Sequence, residues 1–140
     1  MKYKDKVVIL ETNIDDSTPE ELSYTMEKLL TAGALDVSFT PIFMKKCRPG
    51  NKLTVISSLE KEEELTKIIF KHTSSTGLRR YESERTIMDR KDTYIKTAYG
   101  KVKGKHFEYK GIEKEIPEYE DAKKLAEEKN VSIQKILRHF

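Results

Sequence analysis

An α+β fold is predicted for this 140-residue chain by three features: a helix with clear start and stop signals after a β-branched run, a period-two strand immediately behind it, and a second strand, helix, strand series that repeats the order. The expected organisation is a βαββαβ sandwich over residues 1–90, followed by a small ββαα appendage over residues 91–140. A chain of this length buries a core of its own.

The elements follow in order. Val7-Val8-Ile9-Leu10 is a β-branched run that reads as a buried strand ending at an acidic turn, Glu11-Thr12-Asn13-Ile14-Asp15-Asp16. Thr18 is a good N-cap, Pro19 suits the first helical position, and Glu21 can reach back to complete a capping box. Leu22, Met26, Leu29 and Leu30 form an apolar stripe at helical spacing, and Gly33 is placed to end the helix in a left-handed conformation. Leu35, Val37 and Phe39 alternate with Asp36, Ser38 and Thr40, the signature of a half-buried strand. That strand continues through Pro41-Ile42-Phe43-Met44 into a basic turn, Lys45-Lys46-Cys47-Arg48-Pro49-Gly50, and Leu53-Thr54-Val55-Ile56 makes the returning strand. Pro49 and Gly50 are expected to fix the turn.

Ser58 is placed to cap a second helix with Leu65, Ile68 and Ile69 inward, ended by the polar turn at 72–77. Residues 78–88 suit an edge or partly exposed strand, since Arg79, Arg80, Glu82 and Glu84 need water. The order is the split βαβ arrangement of a ferredoxin-like sandwich, a four-stranded antiparallel sheet with two helices on one face. In the appendage, residues 93–99 and 102–109 read as two strands turning at Gly100. A helix from about Glu118 turns Tyr119, Ala122, Leu125 and Ala126 inward. A second, capped by Ser132, turns Ile133, Ile136, Leu137 and Phe140 inward, with Val131 and Ile136 as a hydrophobic staple. This core is too small to stand alone, so the appendage should pack on the sandwich or on a neighbouring subunit.

Charged and hydrophobic residues each make up 36% of the chain, and 27 Lys+Arg face 24 Asp+Glu. The resulting +3 is too mild to demand nucleic acid. A single cysteine, Cys47, excludes an internal disulfide, and no apolar run reaches the roughly 18 residues of a membrane span. The first residues do not resemble a signal peptide, so the expected location is the cytoplasm, with no membrane partner.

Two polar segments carry the chemistry. Glu11, Asn13, Asp15 and Asp16 place four oxygen-bearing side chains within six residues, a set that suits Mg²⁺ or Mn²⁺. Acids just before a helix also complement its dipole, and that structural use stands beside the metal. Lys45, Lys46 and Arg48 suit phosphate oxygens, although a hairpin tip is also a place for solvated charge. Arg79 and Arg80 follow Thr76-Gly77, whose backbone N–H groups are free to meet a phosphate. Neither Gly-x-x-x-x-Gly-Lys-Ser/Thr nor Gly-x-Gly-x-x-Gly is present, which excludes the two standard nucleotide loops. His72, His106 and His139 are scattered, and nickel, which prefers nitrogen and sulfur, finds few ligands here.

Five collinear blocks carry a resemblance: Glu11 to Glu20 (ETNIDDSTPE), Ala32 to Val37 (AGALDV), Pro41 to Gly50 (PIFMKKCRPG), Thr76 to Arg79 (TGLR) and Pro117 to Asp121 (PEYED). Together they resemble the C-terminal region of the LarC nickel-insertion proteins. The resemblance implies a part in making the nickel-pincer nucleotide cofactor of lactate racemase. Ni²⁺, as substrate, would be inserted into pyridinium-3,5-bisthiocarboxylic acid mononucleotide in a step that uses CTP and Mn²⁺ or Mg²⁺. It further implies a homo-oligomer, trimeric or hexameric, and a partner in the longer N-terminal region, with its His-rich stretch, that family members carry. Carried over, Asp15 and Asp16 would lie near the metal, and Lys45, Lys46, Arg48, Thr76 and Arg79 near the nucleotide. No catalytic residue is assigned. The alternative is a non-enzymatic ferredoxin-like module that binds RNA or protein on its sheet. The aromatic stacking pattern that RNA binding needs in central strands is absent.

Overall fold

The computed structural model describes residues 2–138; the expectations placed on His139 and Phe140 lie outside them. The chain forms two compact units, residues 5–85 and residues 86–138 together with 2–4.

The first unit contains β1 (Lys4–Ile14), α1 (Pro19–Thr31), β2 (Asp36–Met44), β3 (Arg48–Ser57), α2 (Glu62–His72) and β4 (Arg79–Thr86). The sheet order is β2-β3-β1-β4, with β3 antiparallel to both β1 and β2. That is the ferredoxin-like arrangement. Val8, Leu10, Ile14, Leu53 and Val55 of the sheet pack against Leu22, Leu29, Leu65 and Ile69 of the helices to form the core.

Helix α1 starts as its residues dictate. Thr18 accepts from the Glu21 amide at 3.2 Å, and Glu21 Oε1 accepts from the Thr18 amide at 3.1 Å, with Pro19 at the first position. Beyond the C-cap Ala32, Gly33 takes φ +105°. The apolar stripe is corrected at one position: Leu30 is 49% exposed, and Thr25 is buried in the core-facing row instead. Thr25 is satisfied by its hydroxyl bond to the Glu21 carbonyl, so a polar side chain occupies the interior at little cost.

Three further expectations change. Strand β1 runs to Ile14, so most of the acidic segment is strand rather than turn. Thr12 and Ile14 are buried while Asn13 is exposed, as a period of two requires. The basic connection shrinks to Lys45–Cys47, in which Lys46 and Cys47 have φ of 63° and 58°. Pro49 and Gly50 are not in the turn: they pair with Phe43 and Ile42 inside β3. Pro49 is tolerated because the β1 ladder ends at Ile14 opposite Asn51, so β3 beyond Asn51 has only one neighbour to satisfy. Helix α2 begins at Glu62 behind Lys61, and no side chain caps it; Ser58 contributes only its carbonyl, to the Lys61 amide.

The second unit contains β5 (Asp89–Thr97), β6 (Gly100–Tyr109), β7 (Ile112–Pro117), α3 (Tyr119–Lys129) and α4 (Ile133–Leu137). Its sheet has three strands in the order β5-β6-β7, so the expected ββαα is βββαα. Lys110 (φ 45°) and Gly111 (φ 90°) make the two-residue turn between paired Tyr109 and Ile112, the left-handed pair that a tight hairpin needs. Ile95, Val102, Ala122, Ala126 and Ile136 form this core, with Leu125, Val131, Ile133 and Leu137 packed on it. Tyr119 is 59% exposed, against the inward position expected of it. Ser132 is the N-cap of α4 but makes no side-chain cap bond. No helix among the described residues is long and apolar enough to cross a membrane.

Candidate functional site

Charged and hydroxyl side chains from three separated segments meet where β1 ends. The alternation of β1 sends Thr12 and Ile14 into the core and leaves Glu11 and Asn13 on the opposite face, with Asp15 and Asp16 beyond the last ladder pair. Arg79, at the start of β4, donates from Nε to Glu11 Oε1 at 2.8 Å and from Nη2 to Asn13 Oδ1 at 3.0 Å. Two of its five N–H donors are thereby used, and three remain for another acceptor. Glu11 is therefore engaged by arginine rather than presented to a metal.

Arg48, the first residue of β3, lies 4.0 Å from Asp15 Oδ2, a loose and partly exposed ion pair of small energetic worth. Its position depends on Gly50. A Cβ at residue 50 would stand 2.8 Å from the Ile14 carbonyl oxygen, 2.7 Å from Met44 Sδ and 3.4 Å from the Asp15 Cα. Only glycine lets the end of β1 lie this close to β3, and this closeness carries Asp15 to Arg48.

The loop after α2 is pinned to the same place. Ser74 donates its hydroxyl to Asp16 Oδ1 at 2.6 Å, leaving Oδ2 of that carboxylate without a described partner. Thr12, only 4% exposed, has its hydroxyl 2.6 Å from Ser75 Oγ and 3.1 Å from the Gly77 carbonyl. Ser75 Oγ is 2.7 Å from that same carbonyl. Two hydroxyl protons serve three contacts, so the two groups hold the loop as a unit. Thr73 adds a bond from its hydroxyl to the Ile69 carbonyl and accepts from the Ser75 amide.

The expected site residues are therefore distributed as follows. Asp15, Asp16, Arg48 and Arg79 gather around the end of β1, all exposed. Thr76 is exposed on the pinned loop, next to Gly77. Lys45 and Lys46 project from the β2–β3 connection, exposed and without an ion pair among those described. Arg80 points the other way, to Glu62 of α2 at 2.5 and 3.0 Å, and takes no part. Among the described residues no three His, Cys, Asp or Glu side chains gather to hold a metal ion. A hard cation here would have two adjacent carboxylates and would complete its shell with water or phosphate oxygens. That is the usual habit of Mg²⁺, and it excludes a closed protein cage. Sequence reasoning missed Thr12, Ser74 and Ser75; a polar residue between Leu10 and Ile14 in a core-facing row was the available signal for the first.

Residues 1–137 match the family model described as nickel insertion protein. The chain belongs to this family. It is 49% identical over 131 residues to the pyridinium-3,5-bisthiocarboxylic acid mononucleotide nickel insertion protein of Clostridium acetobutylicum, an alignment covering 93% of the chain and 31% of that protein. The protein of the same description from Lactiplantibacillus plantarum is 45% identical over 132 residues, covering 94% of the chain and 31% of the relative. The chain thus spans about a third of the length of these curated relatives. Among solved structures it is similar to LarC2, the C-terminal domain of a cyclometallase involved in the synthesis of the NPN cofactor of lactate racemase. The TM-score is 0.89 at 43% identity, over 97% of this chain and 94% of that one. A protein of Methanopyrus kandleri, 22% identical with a TM-score of 0.69, shares the fold.

Proposed function

We propose that residues 5–85 bind a divalent metal–nucleoside triphosphate, CTP with Mn²⁺ or Mg²⁺. The contacts at the end of β1 support this reading: three N–H donors of Arg79 remain free, Arg48 is only loosely paired with Asp15, and Oδ2 of Asp16 has no described partner. Asp15 and Asp16 hold the cation from one side, and the phosphates complete its shell while accepting from Arg48, Arg79 and the Thr76-Gly77 backbone. Lys45 and Lys46 add positive charge to the approach. The weak Arg48–Asp15 pair gives way at small cost, so both partners are available to an incoming metal and phosphate.

In the whole protein this unit serves a nickel chelatase that inserts Ni²⁺ into pyridinium-3,5-bisthiocarboxylic acid mononucleotide, acting with the longer region that relatives carry and as a homo-oligomer in the cytoplasm. The kinship with relatives of that description supports this placement. Nickel is substrate in this scheme, and its ligands come largely from outside this chain, which offers no cluster of nitrogen or sulfur donors among its described residues.

Isothermal titration with CTP, ATP and GTP, each with and without Mn²⁺, tests the proposal. Metal-dependent binding of at least one triphosphate is expected, with Asp16→Ala abolishing the metal dependence and Arg48→Gln weakening triphosphate more than monophosphate. No heat with any of the three, on folded protein, overturns it.

A further inference from the structure

The outer face of the β5-β6-β7 sheet has a composition that its own fold does not require. The inner face carries Ile95 and Val102 to the helices. Cross-strand partners share a face, and the register places Tyr94 opposite Lys103, Lys96 opposite Lys101, and Asp92 opposite Lys105 on the outer side. Four lysines thus share three successive rows with one tyrosine, while the whole 140-residue chain carries only +3. Like charges on facing strands are unfavourable unless something offsets them, and the Lys96–Lys101 row has no acid opposite it.

Tyr94 is 66% exposed on the edge strand β5, in the middle of these three rows. Of the other tyrosines of the unit, Tyr99 packs on the core and Tyr109 stands edge-on to Tyr3 with centroids 4.9 Å apart, while the exposed Tyr119 lies on α3 and not on the sheet face. Beside Tyr94 lies a cleft of ≈ 470 Å³ lined by Asp92, Thr93, Lys103, Gly104, Lys105 and Glu118, within the usual size of small-ligand sites. Lys105 is anchored by ion pairs to Asp92 and, at 3.9 Å, to Glu118. Lys103 is held by its backbone instead: its amide donates to Asp121 Oδ2 at 2.6 Å and its carbonyl accepts from the Glu118 amide. Its ammonium is thus presented from a fixed strand without a described partner, beside an aromatic face with nothing stacked on it.

We propose that this cleft binds a pyridinium mononucleotide, with the ring on Tyr94 and its anionic groups on Lys103 and Lys105. The electron-rich face of tyrosine attracts a cationic heteroaromatic ring, and ring carboxylate-type groups and a phosphate match the surrounding ammonium groups. A neutral nucleobase gains the phosphate contact but loses the cation–π part. The choice of a pyridinium rests on the family reading given under Proposed function, whereas the cleft and its charges are independent of it. The cleft shares no residue with the proposed metal–triphosphate patch.

Nicotinic acid mononucleotide, which carries a pyridinium ring, a ring carboxylate and a phosphate, is the probe. Titration into the full chain, followed by chemical shifts of β5 and β6 amides and by the part of the tyrosine fluorescence change that Tyr94→Phe removes, should show saturable binding. UMP should bind at least threefold more weakly, and inorganic phosphate more weakly still. Tyr94→Ala should weaken the pyridinium probe at least tenfold while leaving phosphate binding and metal-dependent CTP binding unchanged; Lys103→Gln should weaken the probe and phosphate alike. Tyr94→Phe keeps the ring and should bind like the parent, which separates stacking from a folding defect. No saturation by nicotinic acid mononucleotide, or equal loss for all ligands in Tyr94→Ala, overturns the proposal. If CTP binding persists in that outcome, the metal–triphosphate reading is untouched; if CTP binding alone is missing, only that reading fails.

Discussion

Gly50→Ala gives the account its most demanding local test, because the substitution adds one methyl group at the joint between the fold and the site. The new carbon would lie 2.8 Å from the Ile14 carbonyl oxygen and 2.7 Å from Met44 Sδ. The methionine can swing aside, but the carbonyl belongs to the last ladder residue of β1 and cannot move without drawing Asp15 with it. Overpacking of this kind costs about 1–3 kcal/mol, so urea unfolding should show a loss in that range with an unchanged m-value. Displacement of Asp15 should also weaken Mn²⁺-dependent CTP binding beyond what the remaining folded fraction accounts for, while Thr54→Ala, elsewhere on β3, leaves it intact. A Gly50→Ala protein within about 0.5 kcal/mol of the parent, binding Mn²⁺ and CTP as before, would refute the claim that this close approach positions the acids.

Two further outcomes follow. Thr12→Val removes one of two hydroxyls shared among Thr12, Ser75 and the Gly77 carbonyl, and should cost about 0.5–1.5 kcal/mol. Amide exchange should rise most at 73–77, and Thr12→Ser should restore it; a uniform rise across the chain would count against the pinned loop. Arg85 holds the Asp5 carboxyl below the usual carboxylate range through hydrogen bonds of 2.9 and 2.6 Å. A lowered folded-state pKa adds stability above the unfolded value, and that stability is lost as pH falls through the folded one. Denaturation midpoints of the parent and Arg85→Gln should therefore differ by a constant amount at neutral pH and converge below about pH 4. A gap that widens on acidification would reverse the sign and sink the assignment.

What could be read from the residues divides along physical lines. Helix α1 was legible to its end points because Thr18, Pro19, Glu21 and Gly33 each act through local backbone chemistry that neighbours do not override. Strand β7 was missed because Ile112–Glu115 and Ile116 are all exposed, so no alternation of burial marked it; only Lys110-Gly111 signalled the turn. The turn placed at Pro49-Gly50 failed for a tertiary reason, since a proline and a glycine fit β3 where β1 has already ended and must come close. The hairpin itself, and the meeting of acidic and basic segments, followed from the strand order. The partnership of Arg79 with Glu11 and Asn13 did not, because it depends on β4 lying beside β1, 68 and 66 residues away in sequence. Leu30 and Tyr119 were misplaced by periodicity, which marks a stripe but not its edges.

Anomalous scattering from Mn²⁺ in crystals of the chain grown with CTP addresses the central claim most directly. The account predicts one strong manganese peak within coordination distance of Asp15 or Asp16, with triphosphate density running toward Arg48 and Arg79. A manganese peak bound elsewhere, with the end of β1 bare, would contradict it.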